Sequence, residues 1–221
     1  MLLKIYNSLL AEFGPQHWWP TISKNQKFEI MVGTILTQNT AWKNVEKAIK
    51  NLDNEGLLNL ESMHKIDTKR LANSIRPAGY FNQKAKKLKN FTTFLVNNYD
   101  KNIKKMFRKD TAELRKELLA VNGIGPETAD SILLYAGNKP IFVVDAYTKR
   151  IFARIGLLEK NASYDEIQEF FMKNLPKDYK LFNEYHALIV VLGKNYCKKR
   201  ADCEGCAINK MCKSAAIKNI N

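Results

Sequence analysis

The sequence is poor in residues that interrupt regular structure and in long apolar segments. Its 221 residues include only 10 glycines and 6 prolines. No apolar run approaches the roughly 20 residues that a membrane-spanning helix needs. The N-terminal MLLKIYNSLLAEF has the pattern of an amphipathic helix and lacks a signal-peptide cleavage site, and we find no internal repeat or low-complexity segment. This composition predicts a folded, largely helical, cytoplasmic protein made of one large domain or two small ones.

Acidic residues are scarce relative to basic ones. Lys and Arg outnumber Asp and Glu by 36 to 22, which gives a formal net charge of +14 and an isoelectric point near 9.5. Such an excess favours a polyanionic partner, with nucleic acid as the leading candidate, although charge also serves solubility. The carboxylates are not grouped in a way that would hold Mg²⁺, which argues against a metal-dependent nuclease.

Cysteine is absent from the chain before Cys197. The four cysteines, Cys197, Cys203, Cys206 and Cys212, are separated by five, two and five residues. In a reducing compartment such a cluster suggests metal ligation before disulfides. Four thiolates that close on one centre through short loops fit either an iron–sulfur cluster or a structural zinc, and the spacing alone does not choose between them.

Two short helices joined by a tight turn are predicted between residues 114 and 136. Apolar residues recur at helical spacing in Leu114–Val121 and Glu127–Ala136. The intervening Gly123-Ile124-Gly125 can adopt backbone angles closed to other residues, and Pro126 suits the first turn of a helix. Free amides in the turn could bind an anion with help from the following helix dipole, although such hairpins are also used as packing corners.

A carboxylate follows this hairpin. The apolar run IFVV ends at Asp145, and a segment with helical periodicity extends from Ala146 to about Ile155. Because Asp is a favoured N-cap, the simplest interpretation is that Asp145 caps this helix. A capping aspartate could also take part in chemistry.

The segment LLAVNGIGPETADSILLYA resembles the helix-hairpin-helix of the endonuclease III superfamily of DNA glycosylases, and IFVVDAYTKRI resembles the segment that follows it. The resemblance implies that Asp145 is the aspartate essential for base excision. It also implies double-stranded DNA containing a damaged or mispaired base as the partner of a monomeric, nucleoid-associated prokaryotic protein.

The same resemblance implies an all-α fold of two helical lobes. Residues 25–137 would form a six-helix barrel-like domain that carries the helix-hairpin-helix. Residues 1–24 and 138–221 would form an N/C-terminal helical domain that carries the four-cysteine loop. Asp145 is expected to face the cleft between them.

Two further segments resemble DNA-contacting loops of this superfamily. In LTQNT, Gln38 matches the polar residue that fills the gap left by an extruded base. In GYFNQKAKKL, Tyr80 aligns with the apolar wedge pushed into the base stack, and Lys84, Lys86, Lys87 and Lys89 would lie near phosphates. The predicted DNA contacts are Gln38, Asn39, Tyr80, Lys84, Gly123, Ile124, Gly125, Thr128, Lys198, Lys199 and Arg200.

The C-terminal four-cysteine loop of the superfamily holds a [4Fe-4S] cluster. The resemblance implies this cofactor here, with structural zinc as the alternative, although the first gap has five residues where the family usually has six. Lys198, Lys199 and Arg200 lie in that gap and would give a third basic contact to DNA. The expected role of the cluster is structural, since some family members lack its ligands.

Several residues together resemble the 3-methyladenine DNA glycosylase III branch. The predicted base pocket consists of Trp18, Trp19, Pro20, Trp42 and Glu127. Stacking on electron-rich indoles favours a cationic base such as 3-methyladenine by about 0.5 to 2 kcal/mol. Strand-cleaving members have a lysine at the position of Glu127, and a carboxylate cannot form an imine. The sequence therefore predicts a monofunctional glycosylase that uses water.

Two alternatives remain at this level. One is a glycosylase for thymine or uracil mispaired with G, or for an oxidised pyrimidine. The other is a non-catalytic DNA-binding protein that keeps the hairpin, the charge and the metal site but has no need of Asp145.

Overall fold

The computed structural model describes residues 1–218, which fold into helices and loops with no β-strand among them. The predicted all-α class is therefore confirmed. The α-helices in chain order are α1 (Leu2–Phe13), α2 (Gln26–Leu36), α3 (Trp42–Asn54), α4 (Leu60–Lys65), α5 (Thr68–Ser74), α6 (Phe81–Tyr99), α7 (Ile103–Arg108), α8 (Thr111–Leu119), α9 (Pro126–Ser131), α10 (Ala146–Ile155), α11 (Tyr164–Asn174), α12 (Tyr179–Asn195) and α13 (Lys213–Lys218). None of the described helices combines the length and hydrophobicity that a bilayer crossing requires.

Side-chain caps fix where several of these helices begin. Asp110 accepts hydrogen bonds from the Ala112 and Glu113 amides at the start of α8. Ser163 and Glu166 form a reciprocal capping box at the start of α11. These bonds satisfy backbone amides that have no partner inside a helix, so local sequence sets the helix starts.

The chain divides into two compact units, and the first contains residues Trp19–Lys139. Its central element is α2, in which every residue from Phe28 to Leu36 is buried. Helix α2 packs against α3, α6, α9 and the π-helical turn Ile132–Ala136. Because neighbours surround it, apolar residues occur on all sides of its sequence FEIMVGTIL and not along one stripe, and the buried Glu29 accepts hydrogen bonds from the Ile22 and Ser23 amides.

The second unit comprises Met1–Trp18 and the chain from Pro140 onward. Helix α12 lies at its centre and packs against α1 and α10. The core beside α12 is aromatic: the Phe142 ring stacks on Phe171 with centroids 4.0 Å apart, and the Tyr185 hydroxyl donates to the Leu2 carbonyl at 2.9 Å. The N-terminal helix is thereby held on the C-terminal part of the chain. The domain limits inferred from the sequence, residues 25 and 137, remain predictions.

Helix α10 approaches α12 closely at one glycine. A Cβ atom at Gly193 would lie 2.1 Å from Cδ1 of Tyr147, so only a hydrogen atom fits there without movement. The Arg150 guanidinium lies over the Tyr147 ring, 5.0 Å from its centroid. The close contact between Gly193 and the Tyr147 ring fixes the position of α10, the helix that Asp145 caps.

Candidate functional site

Backbone geometry shapes the turn between α8 and α9. Gly123 has φ of +97°, which residues with a side chain rarely adopt, and a Cβ there would lie 2.4 Å from Cγ of Lys87. Gly125 has φ of −95°, and a Cβ at this glycine would meet no atom within 4 Å. Pro126 occupies the first turn of α9, as the sequence predicts.

The turn leaves two amides for an external acceptor. The Ile124 amide donates to the Val121 carbonyl at 3.0 Å, and the Ile124 side chain is buried. The amides of Gly123 and Gly125 have no acceptor within the part of the chain that the structure describes. Ile124 therefore supports the turn by packing, and the amides of the two glycines are left without an acceptor among the described residues.

A buried ion pair holds the two hairpin helices together. Arg115 on α8 donates from Nε to Oδ1 of Asp130 at 2.7 Å and from a terminal nitrogen to Oδ2 at 3.1 Å. The Asp130 side chain is fully buried, and that of Arg115 is 23% exposed. This two-point contact fixes the angle between α8 and α9.

Gln38 fastens the LTQNT loop to the hairpin. Its Nε2 donates to the Gly123 carbonyl at 3.1 Å and to Oγ1 of Thr128 at 2.9 Å. The Lys87 ammonium donates to Oε1 of Gln38 at 2.5 Å. The predicted DNA contact of Thr128 is contradicted for its side chain, because that side chain is buried and its hydroxyl accepts the Gln38 bond.

Two predicted DNA-contacting residues are presented to solvent in a left-handed backbone conformation. Tyr80, directly before α6, has φ of 46° and is 68% exposed. Asn39, next to Gln38, has φ of 52° and is exposed. Such a conformation costs about 1 to 3 kcal/mol for a residue other than glycine and is concentrated at functional sites.

The predicted phosphate contact of Lys84 is contradicted. Lys84 is only 2% exposed, and its ammonium donates to the Leu36 carbonyl at 2.7 Å, the Ala78 carbonyl at 2.8 Å and the Thr40 hydroxyl at 2.5 Å. Burial, with a smaller contribution from the charge of Lys87, lowers the pKa of Lys84 to about 8. This lysine lies on the inner face of α6 and joins loop backbones.

The Lys89 side chain also makes hydrogen bonds within the fold. Its ammonium donates to the carbonyls of His64 and Ile66 at the end of α4. Lys86, by contrast, is exposed. The lysine-rich helix α6 therefore divides its charges between internal hydrogen bonds and solvent, which the count of lysines does not reveal.

Three aromatic rings form a cluster within the unit Trp19–Lys139. The Trp19 ring lies 5.0 Å from the Trp42 ring and 5.3 Å from the Tyr135 ring. A Cβ at Gly33 would lie 3.0 Å from the Trp19 indole, so this glycine lets the ring lie close against α2. Two of the predicted pocket residues, Trp19 and Trp42, therefore lie in contact. Tyr135, which the sequence did not predict, also contacts Trp19.

The other predicted pocket residues lie elsewhere. Trp18 belongs to the second unit, where the Lys194 ammonium is 6.0 Å from its ring centroid. The adjacent tryptophans therefore have different neighbours, as the extended backbone before Pro20 predicts. Pro20 and Glu127 are exposed.

Asp145 caps α10, as the sequence predicts. Its Oδ1 accepts hydrogen bonds from the Thr148 amide at 2.7 Å and the Thr148 hydroxyl at 2.9 Å. Its Oδ2 lies 3.7 Å from Nε2 of His186 on α12, and its side chain retains 12% exposure. The carboxylate is therefore held in one orientation without being sealed from solvent.

His186 lies beside Asp145, a position that sequence reasoning missed. Burial lowers its pKa below the ordinary histidine value, and the opposing effect of the Asp145 charge is smaller. The imidazole is therefore neutral near pH 7. No local pattern signals His186, since it sits in the apolar helix α12, far along the chain from Asp145.

The four predicted metal ligands line one cavity of about 470 Å³ in the second unit. Burial raises the pKa of the Cys206 thiol, and the other three cysteines act in the same direction. Among the described residues, no group of three or more His, Cys, Asp or Glu side chains is arranged closely enough to hold a single metal ion. The thiols share a cavity but are not closed around a single-ion site.

Two arginines of α10 connect this helix to the cysteine loop. Arg154 donates to Sγ of Cys197 at 3.2 Å and to the carbonyls of Lys198 and Lys199 at 2.6 and 2.8 Å. Arg150 donates to the Cys197 carbonyl at 2.8 Å. The side chains of Lys198, Lys199 and Arg200 remain exposed, as a DNA contact would require.

Comparison with known proteins identifies the family. Residues 32–177 match the family described as HhH-GPD superfamily base excision DNA repair protein. A protein of Methanocaldococcus jannaschii, named provisionally as a DNA repair glycosylase, is 53% identical over 216 residues, which are 97% of this chain and 96% of that protein. Endonuclease III of Sulfolobus acidocaldarius is 32% identical, with 84% of this chain and 81% of that protein aligned.

Solved structures show the same relationship. The H. pylori 3-methyladenine DNA glycosylase MagIII, bound to 1,N6-ethenoadenine, has a TM-score of 0.76 and 31% identity, covering 87% of this chain and 97% of that one. A non-covalent endonuclease III–DNA complex has a TM-score of 0.84, and at 20% identity it shares the fold; the coverage is 100% of this chain and 99% of that one.

The fold is therefore that of the endonuclease III-like helical proteins. The chain belongs to the HhH-GPD superfamily of base excision DNA repair proteins, and the family resemblance inferred from the hairpin is confirmed.

Proposed function

We propose that this protein is a monofunctional DNA glycosylase that hydrolyses the N-glycosidic bond of an alkylated purine, such as 3-methyladenine, turned out of duplex DNA. The observation that carries the proposal is Asp145, a partly exposed carboxylate fixed at the start of α10 by two bonds from Thr148. By the resemblance of IFVVDAYTKRI to the segment that follows the family's hairpin, Asp145 would be the family's essential aspartate.

The reaction needs negative charge beside the sugar. Breaking the glycosidic bond builds positive charge on the sugar carbon, and a fixed carboxylate stabilises that charge without reorganising. Asp145 would also orient or deprotonate the attacking water. Since Thr148 binds Oδ1, the other oxygen of the carboxylate is the one available to the sugar or the water.

The base must first leave the stack, which costs a few kcal/mol. We assign the wedge to Tyr80, because its ring projects into solvent. Asn39 is better placed than Gln38 to fill the gap, since Asn39 is exposed and the Gln38 amide is bonded to the hairpin. Gln38 would then set the position of the loop on the hairpin. The amides of Gly123 and Gly125 would hold a phosphate nearby.

An alkylated purine is favoured by the aromatic cluster and by one relative. Trp19 and Trp42 provide electron-rich faces, which attract a cationic base more strongly than a neutral one. The H. pylori enzyme, which is 31% identical, is named for 3-methyladenine and was solved with an alkylated adenine derivative. Tyr135 is buried, so in the proposed base site it would support the Trp19 ring and not contact the base through an exposed face of its own.

Two positions support the proposal that the protein does not cleave the strand. The hairpin position that carries a lysine in strand-cleaving members is Glu127, and Lys84 is buried with its ammonium bonded to three oxygens. A Schiff base requires a free, neutral amine. Neither residue meets that requirement in this structure.

We further propose that Cys197, Cys203, Cys206 and Cys212 hold a [4Fe-4S] cluster. Four thiols that line one cavity through short loops fit the cluster that the family's four-cysteine loop holds. When bound it would hold the loop that presents Lys198, Lys199 and Arg200.

The test is release of free base from duplexes that carry 3-methyladenine, a G:T mismatch or thymine glycol. We expect release of 3-methyladenine, no strand break without alkali, and no covalent adduct after borohydride treatment. Release of thymine glycol together with a borohydride-trapped adduct would establish the endonuclease III-type alternative. Tight duplex binding with no base released from any substrate would establish a non-catalytic DNA-binding protein.

A further inference from the structure

The two oxygens of Asp145 have different surroundings. Oδ1 accepts both bonds from Thr148, while Oδ2 lies 3.7 Å from Nε2 of His186. Rotation about the last side-chain bond would move Oδ1 away from Thr148, but that torsion is broad, so the two bonds at one oxygen restrain the carboxylate without removing all of its motion. A second contact at Oδ2 would remove this freedom.

The fold holds His186 firmly in place. It is 7% exposed and lies between Tyr185 and Ala187, both fully buried, on the central helix α12. Two turns further along the same helix, Gly193 contacts the Tyr147 ring of α10. Because this contact fixes α10 against α12, the start of α10 and the imidazole cannot separate without movement of a whole helix.

The protonation state of the imidazole determines what it offers the carboxylate. Since burial lowers its pKa, His186 is neutral near pH 7 and has one N–H donor. Only the tautomer with hydrogen on Nε2 is attracted to Oδ2. The other tautomer would point a lone pair at a negative charge.

We propose that His186 is a positioning residue for Asp145, which directs its Nε2–H toward Oδ2 and holds the carboxylate in the orientation that the reaction requires. This inference rests on the proposed function of Asp145. His186 acts through the aspartate and neither contacts substrate nor transfers a proton. The charge that faces the developing cation is then fixed before the base leaves.

The test compares His186→Met with His186→Gln. Methionine fills a buried site of similar size but donates no hydrogen bond, whereas the glutamine Nε2 can occupy a place near that of the imidazole Nε2. Single-turnover excision at saturating enzyme and the dissociation constant for duplex DNA are measured separately, on the substrate identified by the three-lesion assay.

We expect His186→Met to lose on the order of 10²-fold in excision rate, as small misplacements of a reacting group do. DNA affinity should stay within about 2-fold, because phosphate contacts set it. His186→Gln should recover most of the rate. In an Asp145→Asn background, His186→Met should cause no further loss.

A second readout does not need a substrate. The chain has only three histidines, so ¹⁵N NMR of the ring nitrogens can resolve His186. The neutral Nε2–H tautomer is expected, with a resonance that shifts in Asp145→Asn. An Nδ1–H tautomer, or a signal unaffected by Asp145→Asn, would overturn the inference even if His186→Met fails to fold.

The two proposals can fail separately. Full excision by Asp145→Asn would remove the proposed function of that residue, and with it the role of His186. Loss of excision in Asp145→Asn with normal excision in a folded His186→Met would overturn the positioning role alone.

Discussion

The hairpin of the unit Trp19–Lys139 and the Asp145 helix of the other unit present their functional groups by different means. In the hairpin the groups are backbone amides, and two glycines, a proline and the Arg115–Asp130 pair shape the turn that carries them. At Asp145 the group is a side chain, oriented by Thr148 within its own helix and by His186 from another helix.

The comparison shows why the two regions should tolerate substitution differently. Phosphate binding by backbone amides would depend on the conformation of the turn. Substitutions that change a φ angle or add side-chain atoms would therefore weaken it. A carboxylate depends on its charge and orientation, so it can be disabled while the fold remains intact.

Asp145→Asn should separate chemistry from structure most clearly. Asparagine caps helices about as well as aspartate, so α10 should persist and the melting temperature should change little. Excision should fall by roughly 10³-fold or more, because the charge beside the sugar is lost. Single-turnover base release, with duplex affinity measured in parallel, checks this. A matching loss of melting temperature would assign Asp145 to structure instead.

Arg115→Met should have the largest effect on the stability of the hairpin unit. It removes the Arg115 guanidinium from the fully buried Asp130 carboxylate, and breaking comparable buried ion pairs costs about 3 to 5 kcal/mol. Denaturant unfolding measures the loss. The double variant Arg115→Met/Asp130→Leu serves as the control and should regain stability, because no unpaired charge remains. A loss of similar size in the double variant would mean that packing, not charge, dominates.

Gly123→Ala and Gly125→Ala form a matched pair within the turn. Alanine at 123 must adopt a positive φ and would meet Lys87, so a loss of about 1 to 2 kcal/mol of stability is expected together with weaker DNA binding. Alanine at 125 meets no atom within 4 Å and has an ordinary φ, so it should leave stability unchanged. If the phosphate approaches the Gly125 amide closely, DNA affinity alone should fall in this variant. Equal effects of the two alanines on melting temperature would contradict this division.

The smallest effect concerns pH and His186. Its pKa in the folded protein is depressed, so above about pH 6.5 the residue is neutral in both states and contributes no pH dependence. Below that pH the His186 imidazole binds a proton in the unfolded chain but not in the folded protein. The free energy of unfolding therefore falls as the pH decreases. Between pH 7.5 and 5.5 the native protein should therefore lose up to about 1.4 kcal/mol more than His186→Gln. Parallel slopes would show that His186 titrates normally.

Helix positions and the hairpin were largely predictable from the sequence because the forces that set them are local. Asp145, Gly123 and Pro126 each act on neighbouring backbone, and the expected cap, turn and helix start were all found. The lysines of α6 were harder to interpret. A lysine count indicates charge, but which face of the helix is buried decides that Lys84 and Lys89 bond to internal carbonyls while Lys86 meets solvent.

The helical class, the turn, the cap at Asp145 and the membership of the family follow from residue type and spacing along the chain. Three contacts became known only from the folded chain: Gln38 bonds to the hairpin, Tyr135 lies beside Trp19, and His186 faces Asp145. These contacts join residues far apart in the chain, and they form because helices pack by shape and burial, which no local pattern encodes.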